Sequence, residues 1–161
     1  MSCREKLEKY LSERQIPFQV QQHPLAFTAQ DVAAREHIPG KQVAKVVIVF
    51  ADGKQSMLVL PAPYRVDLTR VALPLGAREV RLSDEIELGI AFPDCDVGAM
   101  PPFGNLYQLP VYVDKSLAED EVITFPIGTH TETMSLKYAD FARLVTPTLA
   151  EFAYPAQAAL R

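Results

Sequence analysis

The sequence predicts an α+β fold with a mixed or antiparallel sheet. Short apolar runs typical of strands alternate irregularly with amphipathic helical segments, and two of the runs are joined by a tight turn. The length of 161 residues suits one compact domain, and 48% hydrophobic against 22% charged residues is the balance of a globular chain. We therefore expect residues 1–161 to form a single domain, and we exclude a disordered or fibrous chain.

The N-terminal segment predicts a helix, a short strand and a second helix. Ser2 and Glu5 have the spacing of a capping box. An apolar stripe at helical spacing follows, formed by Cys3, Leu7, Tyr10 and Leu11. We expect this helix to end before Pro17, a strand over residues 17–23, and a second helix over residues 28–38.

The clearest local signal is a β-hairpin. The apolar runs VAKVVIVF (43–50) and QSMLVL (55–60) are joined through residues 51–54, which contain Asp-Gly. The first run is apolar on both faces, which predicts a central strand covered on each side.

Shorter elements are expected in the rest of the chain. They are a helix capped by Asp67, a helix beginning near Ser83, strands over 109–115, 121–127 and 132–136, and a helix over 137–145. Residues 92–105 are too rich in Gly and Pro for either element, and a proline-punctuated tail follows the last helix.

Composition limits the classes of partner. A formal charge of −4 provides no global basic field for nucleic acid, so contacts with nucleic acid would need a local patch. The longest apolar run, Val46 to Ala51, is far short of the roughly 18 residues of a membrane span, and no secretory signal is recognisable. Cys3 and Cys95 fit neither a disulfide framework nor zinc-ligand spacing. We expect a soluble cytoplasmic protein.

Lys45 is the most informative single residue. In a strand it shares a face with Val43, Val47 and Val49, so its stem lies in apolar surroundings. A buried ammonium needs a partner or has a lowered pKa, and perturbed groups cluster at functional sites. The alternative is a lysine near the strand end that extends its ammonium to water.

The loop GAMPPFG (98–104) is the second candidate. Its prolines fix φ and its glycines leave φ free, so the loop can hold backbone N–H groups in a preset arrangement. Such an arrangement suits binding of a carbonyl or an oxyanion. The alternative is a rigid turn that only connects two elements.

The polar run GTHTET (128–133) between two apolar strands is the third candidate. His130 would bind, orient or transfer protons there, or would be a solvated histidine at a strand end. His130 and Glu132 alternate onto one face, but two ligands are too few for a metal site. His23 is expected to be structural or to line the rim of a site, and His37 to lie on a helix surface.

Other classes have weaker support. No Walker loop, GxGxxG, GxSxG or HExxH motif is present. A Cys/His hydrolase using Cys95 is the weakest hypothesis, because nothing local marks a thiolate of lowered pKa. Five basic residues would line a phosphate backbone or form a solvated face: Lys41, Arg65, Arg70, Arg78 and Arg81.

These features occur in an order that resembles the YbaK/prolyl-tRNA synthetase-associated domain family. The segments that carry the resemblance are His23-Pro24, FTAQDVAAREHIPG (27–40), AKVVIVF (44–50), VDLTR (66–70), GAMPPFG (98–104), GTHTETMSL (128–136) and KYADFARLV (137–145). Each is weak alone, but their joint order and spacing over about residues 15–145 are specific. The resemblance implies a mixed, barrel-like β-sheet surrounded by helices.

The resemblance also implies a function. Members of this family are stand-alone relatives of the editing domain in bacterial prolyl-tRNA synthetases, and they hydrolyse the ester that links a wrong amino acid to the 3′ end of tRNA. The implied partners are the acceptor end of a mischarged tRNA, mostly that for proline, and an aminoacyl-tRNA synthetase, with no membrane. Different branches prefer alanine, cysteine, serine, threonine or other small amino acids.

The resemblance assigns site residues by position. The family's lysine falls on Lys45 and its GxxxP loop on residues 98–102, which implies catalytic roles for Lys45, Gly98 and Pro102. The implied substrate-binding residues are His23, Ala99, Met100, Pro101, Phe103, Gly104, Gly128, Thr129 and His130. No metal or cofactor is expected, because an aminoacyl ester is already activated. The alternative is a non-catalytic member that binds tRNA, a small ligand or a synthetase.

Overall fold

The computed structural model describes residues 1–23 and 42–156 of the chain. The helices within these ranges are α1 (Cys3–Glu13), α2 (Leu68–Leu75), α3 (Glu85–Ala91), α4 (Lys115–Ala118) and α5 (Tyr138–Val145), with a 3-10 turn over Gly104–Tyr107. The strands are β1 (Gln19–Gln22), β2 (Ala44–Ala51), β3 (Lys54–Pro61), β4 (Tyr64–Val66), β5 (Val80–Leu82), β6 (Val111–Asp114), β7 (Val122–Pro126), β8 (Glu132–Lys137), β9 (Thr148–Ala150) and β10 (Ala153–Pro155). The helix expected over residues 28–38 lies outside the described residues.

The first helix forms for the reason that the sequence indicates. The Glu5 N–H donates to Ser2 Oγ at 3.1 Å, and the Ser2 N–H donates to Glu5 Oε1 at 3.4 Å, which completes the capping box. Cys3, Leu7 and Leu11 bury one face of the helix.

The hairpin of β2 and β3 is confirmed. Its register runs from Ala44 opposite Pro61 to Ala51 opposite Lys54. Asp52 and Gly53 have φ of 50° and 84°, the positive values that a two-residue type I′ turn requires at both central positions. The Asp52 carboxylate accepts N–H bonds from Arg78 and Glu79, which fixes the turn against the chain before β5.

The strands form a mixed five-stranded sheet in the order β5-β2-β3-β6-β9, a three-stranded sheet β1-β8-β7, and a two-stranded ribbon β10-β4. The pairs β3–β6 and β6–β9 are parallel, whereas β2 is antiparallel to both of its neighbours. A parallel bridge between Val43 and Thr124 connects the start of β2 to β7. The α+β prediction is confirmed, although the described strands form three sheets and not one closed barrel.

Two hydrophobic clusters lie on opposite faces of the five-stranded sheet. The first contacts both larger sheets, α1 and α5, and contains Leu7, Phe103, Phe125 and Phe141. The second covers the other face with Val49, Leu58, Leu60, Val71 and Phe152. β2 contributes Ile48 to the first and Val49 to the second, so the prediction of a strand covered on both sides is confirmed. No helix in the described ranges is long and apolar enough to cross a membrane.

The helix expected to begin near Ser83 is confirmed. It begins at Glu85, and the Asp84 carboxylate caps it by accepting the Glu87 N–H at 2.8 Å. Two short strands were not expected. The tail after α5 contains β9 and β10, which pair with β6 and β4. Such three-residue strands carry too little periodicity to be read from sequence.

Candidate active site

Gly98 lies in a turn that requires glycine. The Ala99 N–H donates to the Asp96 carbonyl at 3.0 Å, so residues 96–99 form a β-turn with Gly98 at its third position. Gly98 has φ of 86°, which is the positive value that a type II turn requires there. Gly98 is exposed, and its amide makes no hydrogen bond to any residue of the described ranges. The turn therefore presents one N–H donor at the surface.

Gly128 holds this turn in place from the other side. Its N–H donates to the Ala99 carbonyl at 2.8 Å, and its carbonyl accepts the Asp96 N–H at 2.8 Å. Gly128 has φ of 102°, and a Cβ at this position would lie 2.7 Å from Cys3 Cβ. Glycine is required here both for the backbone conformation and for the close approach of α1.

His130 packs against the same turn. Its Nε2 lies 3.1 Å from the Val97 carbonyl oxygen, and its Cε1 would be 3.7 Å from a Cβ at Gly98. A carbonyl oxygen can only accept, so this hydrogen bond requires that Nε2 carries a proton. In this arrangement Nε2 orients the ring against the turn and cannot serve as a proton acceptor.

Other predicted binding residues adjoin His130. The His23 N–H donates to the Thr131 carbonyl at 2.9 Å, which brings the buried His23 beside the start of β8. Thr129 Oγ1 donates to Glu132 Oε1 at 3.2 Å, and Glu132 forms an ion pair with Arg4. Glu132 is thus a structural partner of the segment.

Lys45 lies at the start of β2, two residues after the bridge to β7. The bridge between Val43 and Thr124 is parallel, so the two segments run in the same direction from it. Lys45 follows Val43 in one segment, and His130 follows Thr124 in the other, after β7 and Gly128. The Lys45 side chain is half-buried, and its pKa is lowered, first by burial and then by the like charge of Arg65. Within the described ranges, no carboxylate forms an ion pair with it.

The rest of the predicted loop is buried. Ala99, Met100, Pro101 and Pro102 are inaccessible or nearly so, and the chain after them passes into the first cluster. The Phe103 ring packs on Phe125 and Phe141, with ring centroids 5.7 and 5.5 Å away. A Cβ at Gly104 would lie 2.6 Å from Val111 Cγ2. Phe103 and Gly104 anchor the loop in the core, and a direct contact with substrate stays a prediction.

The basic residues that the sequence suggested for contact with a phosphate backbone lie in different surroundings. Arg81 forms two hydrogen bonds with Glu87, at 2.9 and 2.8 Å, and its guanidinium lies over Phe50. Arg78 and Arg81 line a surface cavity of about 650 Å³ that shares no lining residue with the Gly98 turn. Arg65 is the basic residue that acts on Lys45. Lys41 lies outside the described residues, as does His37.

A side-chain cluster that the sequence did not indicate lies beneath Gly128. Cys95 Sγ donates to Cys3 Sγ at 2.9 Å, although 92 positions separate the two residues. Tyr107 and Asp94 complete the cluster, with the Tyr107 hydroxyl donating to Asp94 Oδ1 at 3.1 Å. No local pattern could have revealed it, because the contact depends on α1 packing beside the loop that precedes Gly98.

Comparisons with known proteins agree on the family. A family model described as the aminoacyl-tRNA editing domain matches residues 23–144. The Escherichia coli (strain K12) protein named multifunctional Ser/Thr-tRNA deacylase ProXp-y is 27% identical over 154 residues, which cover 92% of this chain and 91% of the relative.

Solved structures share the fold. A proposed trans-editing enzyme for prolyl tRNA synthetase has a TM-score of 0.83 at 18% identity, covering 96% of this chain and 98% of that chain. A crystallised hypothetical protein has a TM-score of 0.84 at 18% identity, covering 92% of this chain and 99% of that chain. The family model spans most of the sequence, including Lys45, Gly98 and His130, and the chain therefore belongs to the aminoacyl-tRNA editing domain family, as the resemblance predicted.

Proposed function

We propose that this protein is a trans-editing aminoacyl-tRNA deacylase that hydrolyses the ester of a small, mischarged amino acid. The observation that carries the proposal is the exposed type II turn at Gly98, held by two hydrogen bonds to Gly128 and packed against His130. A turn fixed in this way can donate its free N–H to an oxyanion without rearranging, which is the arrangement that acyl transfer needs.

The reaction needs few groups from the protein. A water oxygen attacks the ester carbonyl, and the developing oxyanion accepts a hydrogen bond from the Gly98 N–H. The bond from the carbonyl carbon to the ribose oxygen then breaks, and the ribose oxygen takes up the proton that the water loses. The neighbouring ribose hydroxyl assists the water, as the family resemblance implies, so no general base is required of the protein.

Lys45 supplies the positive charge. Among the described residues its charged neighbour is Arg65 and no carboxylate pairs with it, so the half-buried side chain offers a counter-charge to an incoming anion. The ammonium holds the terminal phosphate or ribose, or contacts the ester. The hydrogen bond from His130 Nε2 to the turn supports a role in positioning the turn and shaping the amino-acid pocket.

The name of the Escherichia coli relative suggests which amino acids to test first. Serine and threonine are the amino acids named for the deacylase that is 27% identical to this chain. We propose that the acceptor end of tRNA, including that for proline, is the macromolecular substrate and that a synthetase is a further partner. A cytoplasmic location follows from this substrate and stays a prediction.

A deacylation panel tests the proposal. Seryl, threonyl, alanyl, cysteinyl and prolyl esters would be prepared on tRNA for proline, and the seryl and threonyl esters also on their cognate tRNAs. We expect the wild-type protein to hydrolyse at least one small mischarged ester and to spare prolyl-tRNA. Lys45→Ala should lower that rate at least about tenfold. Lys54→Ala is the matched control, because Lys54 is an exposed lysine of the same hairpin.

Lack of hydrolysis of every ester in the panel would contradict the proposal. If every ester decays at the rate measured without protein, the proposed deacylase activity is wrong for these substrates. A titration with labelled tRNA then separates the alternatives. Binding without turnover would identify a non-catalytic member of the family, and no binding would exclude tRNA for proline as the partner.

A further inference from the structure

The thiols of Cys3 and Cys95 are in direct contact beneath the candidate site. Their sulfurs are 2.9 Å apart, which is closer than an ordinary contact between two thiols. A disulfide needs a sulfur–sulfur distance of about 2.05 Å, so the sulfurs would approach by a further 0.9 Å or so. Both residues are free cysteines here.

The groups around the two sulfurs act on a thiolate in opposite directions, because the start of α1 stabilises negative charge and the Asp94 carboxylate opposes it. Cys3 is the first residue of α1, where the exposed N–H groups of the helix stabilise negative charge. The Tyr107 hydroxyl lies 3.3 Å from Cys95 Sγ and 3.6 Å from Cys3 Sγ. The Lys6 ammonium lies 3.9 Å from the centroid of the Tyr107 ring and 3.6 Å from Asp94 Oδ2.

The two thiols are not equivalent. The hydrogen bond from Cys95 lowers the pKa of Cys3, and Tyr107 and Lys6 act in the same direction, whereas burial and the Asp94 carboxylate raise it. The pKa of Cys95 is raised by its interaction with Cys3 and by burial. Cys3 is buried, whereas Cys95 is partly accessible. When Cys95 attacks an oxidant, its proton can pass across the 2.9 Å contact to the Cys3 thiolate, so Cys3 acts as the base and the accessible Cys95 sulfur acts as the nucleophile.

We propose that Cys3 and Cys95 are a redox-active pair that a hydroperoxide, such as hydrogen peroxide, converts to an intramolecular disulfide. The Cys95 sulfur attacks one peroxide oxygen while its proton passes to the Cys3 thiolate, an S–O bond forms, the O–O bond breaks, and hydroxide leaves. Cys3, after losing its proton to that hydroxide, attacks the Cys95 sulfur, the S–S bond forms, and the S–O bond breaks with loss of hydroxide. The two sulfurs lose two electrons in total, and the peroxide is reduced to one water and one hydroxide.

The same atoms are a poorer fit to zinc. The ligand atoms of Cys3, Asp94 and Cys95 lie within 4.8 Å of one another. However, two sulfurs bound to one tetrahedral zinc at about 2.3 Å stand about 3.8 Å apart. The observed 2.9 Å is too short for that geometry, and the Lys6 ammonium beside Asp94 would oppose a second cation.

The position of the pair gives oxidation a structural consequence. A Cβ at Gly128 would lie 3.0 Å from Cys3 Sγ, so the pair packs directly under the segment that holds the Gly98 turn. Cys95 precedes Gly98 by three residues. A disulfide would therefore tie the N-terminus of α1 covalently to the loop of the candidate site. The inference is independent of the proposed deacylation.

The test uses the full chain and hydrogen peroxide as the probe. The reduced protein would be exposed to peroxide, quenched with an alkylating reagent, and analysed by intact mass and peptide mapping. We expect the loss of two hydrogen atoms, a peptide that links Cys3 to Cys95, and reversal by dithiothreitol. Because the link spans 92 positions, we also expect Tm to rise by about 5–10 °C in the oxidised protein.

Single variants provide the control. Cys3→Ser and Cys95→Ser each leave one sulfur, so peroxide should add oxygen to that sulfur and form no internal link. The proposal is overturned if the wild-type protein gains oxygen without a linked peptide, or if the link forms between two chains. Stoichiometric binding of zinc that protects both thiols from peroxide would also overturn it in favour of a metal site.

Discussion

At the scale of single residues, two glycines shape the turn of the candidate site. Gly98 and Gly128 both have positive φ. Gly128 is hydrogen-bonded to Asp96 and Ala99, which flank Gly98 in the turn. Neither position tolerates a side chain without strain, for different reasons. Gly98 faces open space apart from His130, whereas Gly128 is in contact with Cys3.

Substitution of Gly98 separates backbone strain from packing. In Gly98→Ala the added Cβ meets only His130 Cε1, at 3.7 Å, so the cost comes from the positive φ and amounts to about 1–2 kcal/mol. We expect the turn to shift and the deacylation rate to fall about 10- to 100-fold, with the fold retained. Urea denaturation and deacylation assays measure the two effects.

Gly89→Ala is the matched control, because Gly89 lies within α3 and has open space around its Cα. It should stabilise the protein by about 0.5–1 kcal/mol and leave the rate unchanged. Equal rates for Gly98→Ala and Gly89→Ala would show that the turn geometry is not needed.

The lowered pKa of Lys45 predicts the pH dependence of its function. If the ammonium acts in the reaction, the protein-dependent rate falls as pH rises through a pKa below the usual lysine value of 10.5. Arg65→Gln removes a like charge, so the pKa of Lys45 should rise and the loss of rate should move to higher pH. Rates measured across the alkaline range, with spontaneous ester hydrolysis subtracted, test this expectation.

The lowered pKa of Lys45 also makes the free energy of unfolding depend on pH. The unfolded chain holds the Lys45 proton more tightly than the folded chain does, so the free energy of unfolding rises with pH between the folded and unfolded pKa values. Arg65→Gln should weaken this rise. Arg70→Gln, on the exposed side of α2, is the control and should alter neither profile. An identical alkaline limb in wild type and Arg65→Gln would contradict the assigned interaction.

At the scale of elements, one carboxylate organises the C-terminal strands. Asp114 ends β6 and is buried, with Oδ1 accepting the N–H groups of Phe152 and Ala153 at 2.9 Å each. Oδ2 accepts the Ser116 N–H at 3.1 Å and also the Ser116 hydroxyl. This single side chain thus starts α4 and fixes the chain entering β10.

Removal of this carboxylate should cost more than removal of any one donor. Asp114→Ala leaves buried N–H groups without an acceptor, so we expect a loss of about 3–4 kcal/mol in the free energy of unfolding. Ser116→Ala removes only the hydroxyl and should cost about 1 kcal/mol. Urea denaturation of both variants gives the comparison. Similar losses in the two would mean that the bonds to Phe152 and Ala153 contribute little.

At the scale of the whole molecule, β3 joins the two hydrophobic clusters. Met57 and Val59 face the first cluster, and Leu58 and Leu60 face the second. Every residue from Ser56 to Pro61 is buried, so β3 contributes buried side chains to both clusters. Unfolding of this strand would therefore remove packing from both clusters at once. The expectation that residues 1–161 form one domain depends on this coupling and stays a prediction.

Cooperativity of unfolding tests the coupling. Phe103→Ala in the first cluster and Phe152→Ala in the second should each cost about 3–5 kcal/mol, because both rings are fully buried. Each variant should still unfold in one transition with an unchanged dependence on urea. Leu73→Ala, at a side chain that is 86% exposed, is the control and should have little effect. Two separate transitions in either variant would contradict a single cooperative unit.

The sequence by itself determined the features whose causes are local. Three features depend on residues a few positions apart: the capping box of α1, the Asp-Gly turn between β2 and β3, and the continuous apolar run that covers both faces of β2. The resemblance to the editing family could also be recognised from the sequence, because the order and spacing of its motifs do not depend on contacts. The candidate site residues Lys45, Gly98 and His130 came from these two sources and stay predictions.

Only the tertiary structure decided the contacts between distant segments. Residues far apart in the chain meet in three places: Arg65 lies near Lys45, Gly128 is hydrogen-bonded to Asp96 and Ala99, and Cys3 is in contact with Cys95. β9 and β10 likewise form because β6 and β4 present free N–H and C=O groups to them. These features depend on which surfaces pack together when the two clusters are buried. Local sequence propensity does not determine that packing.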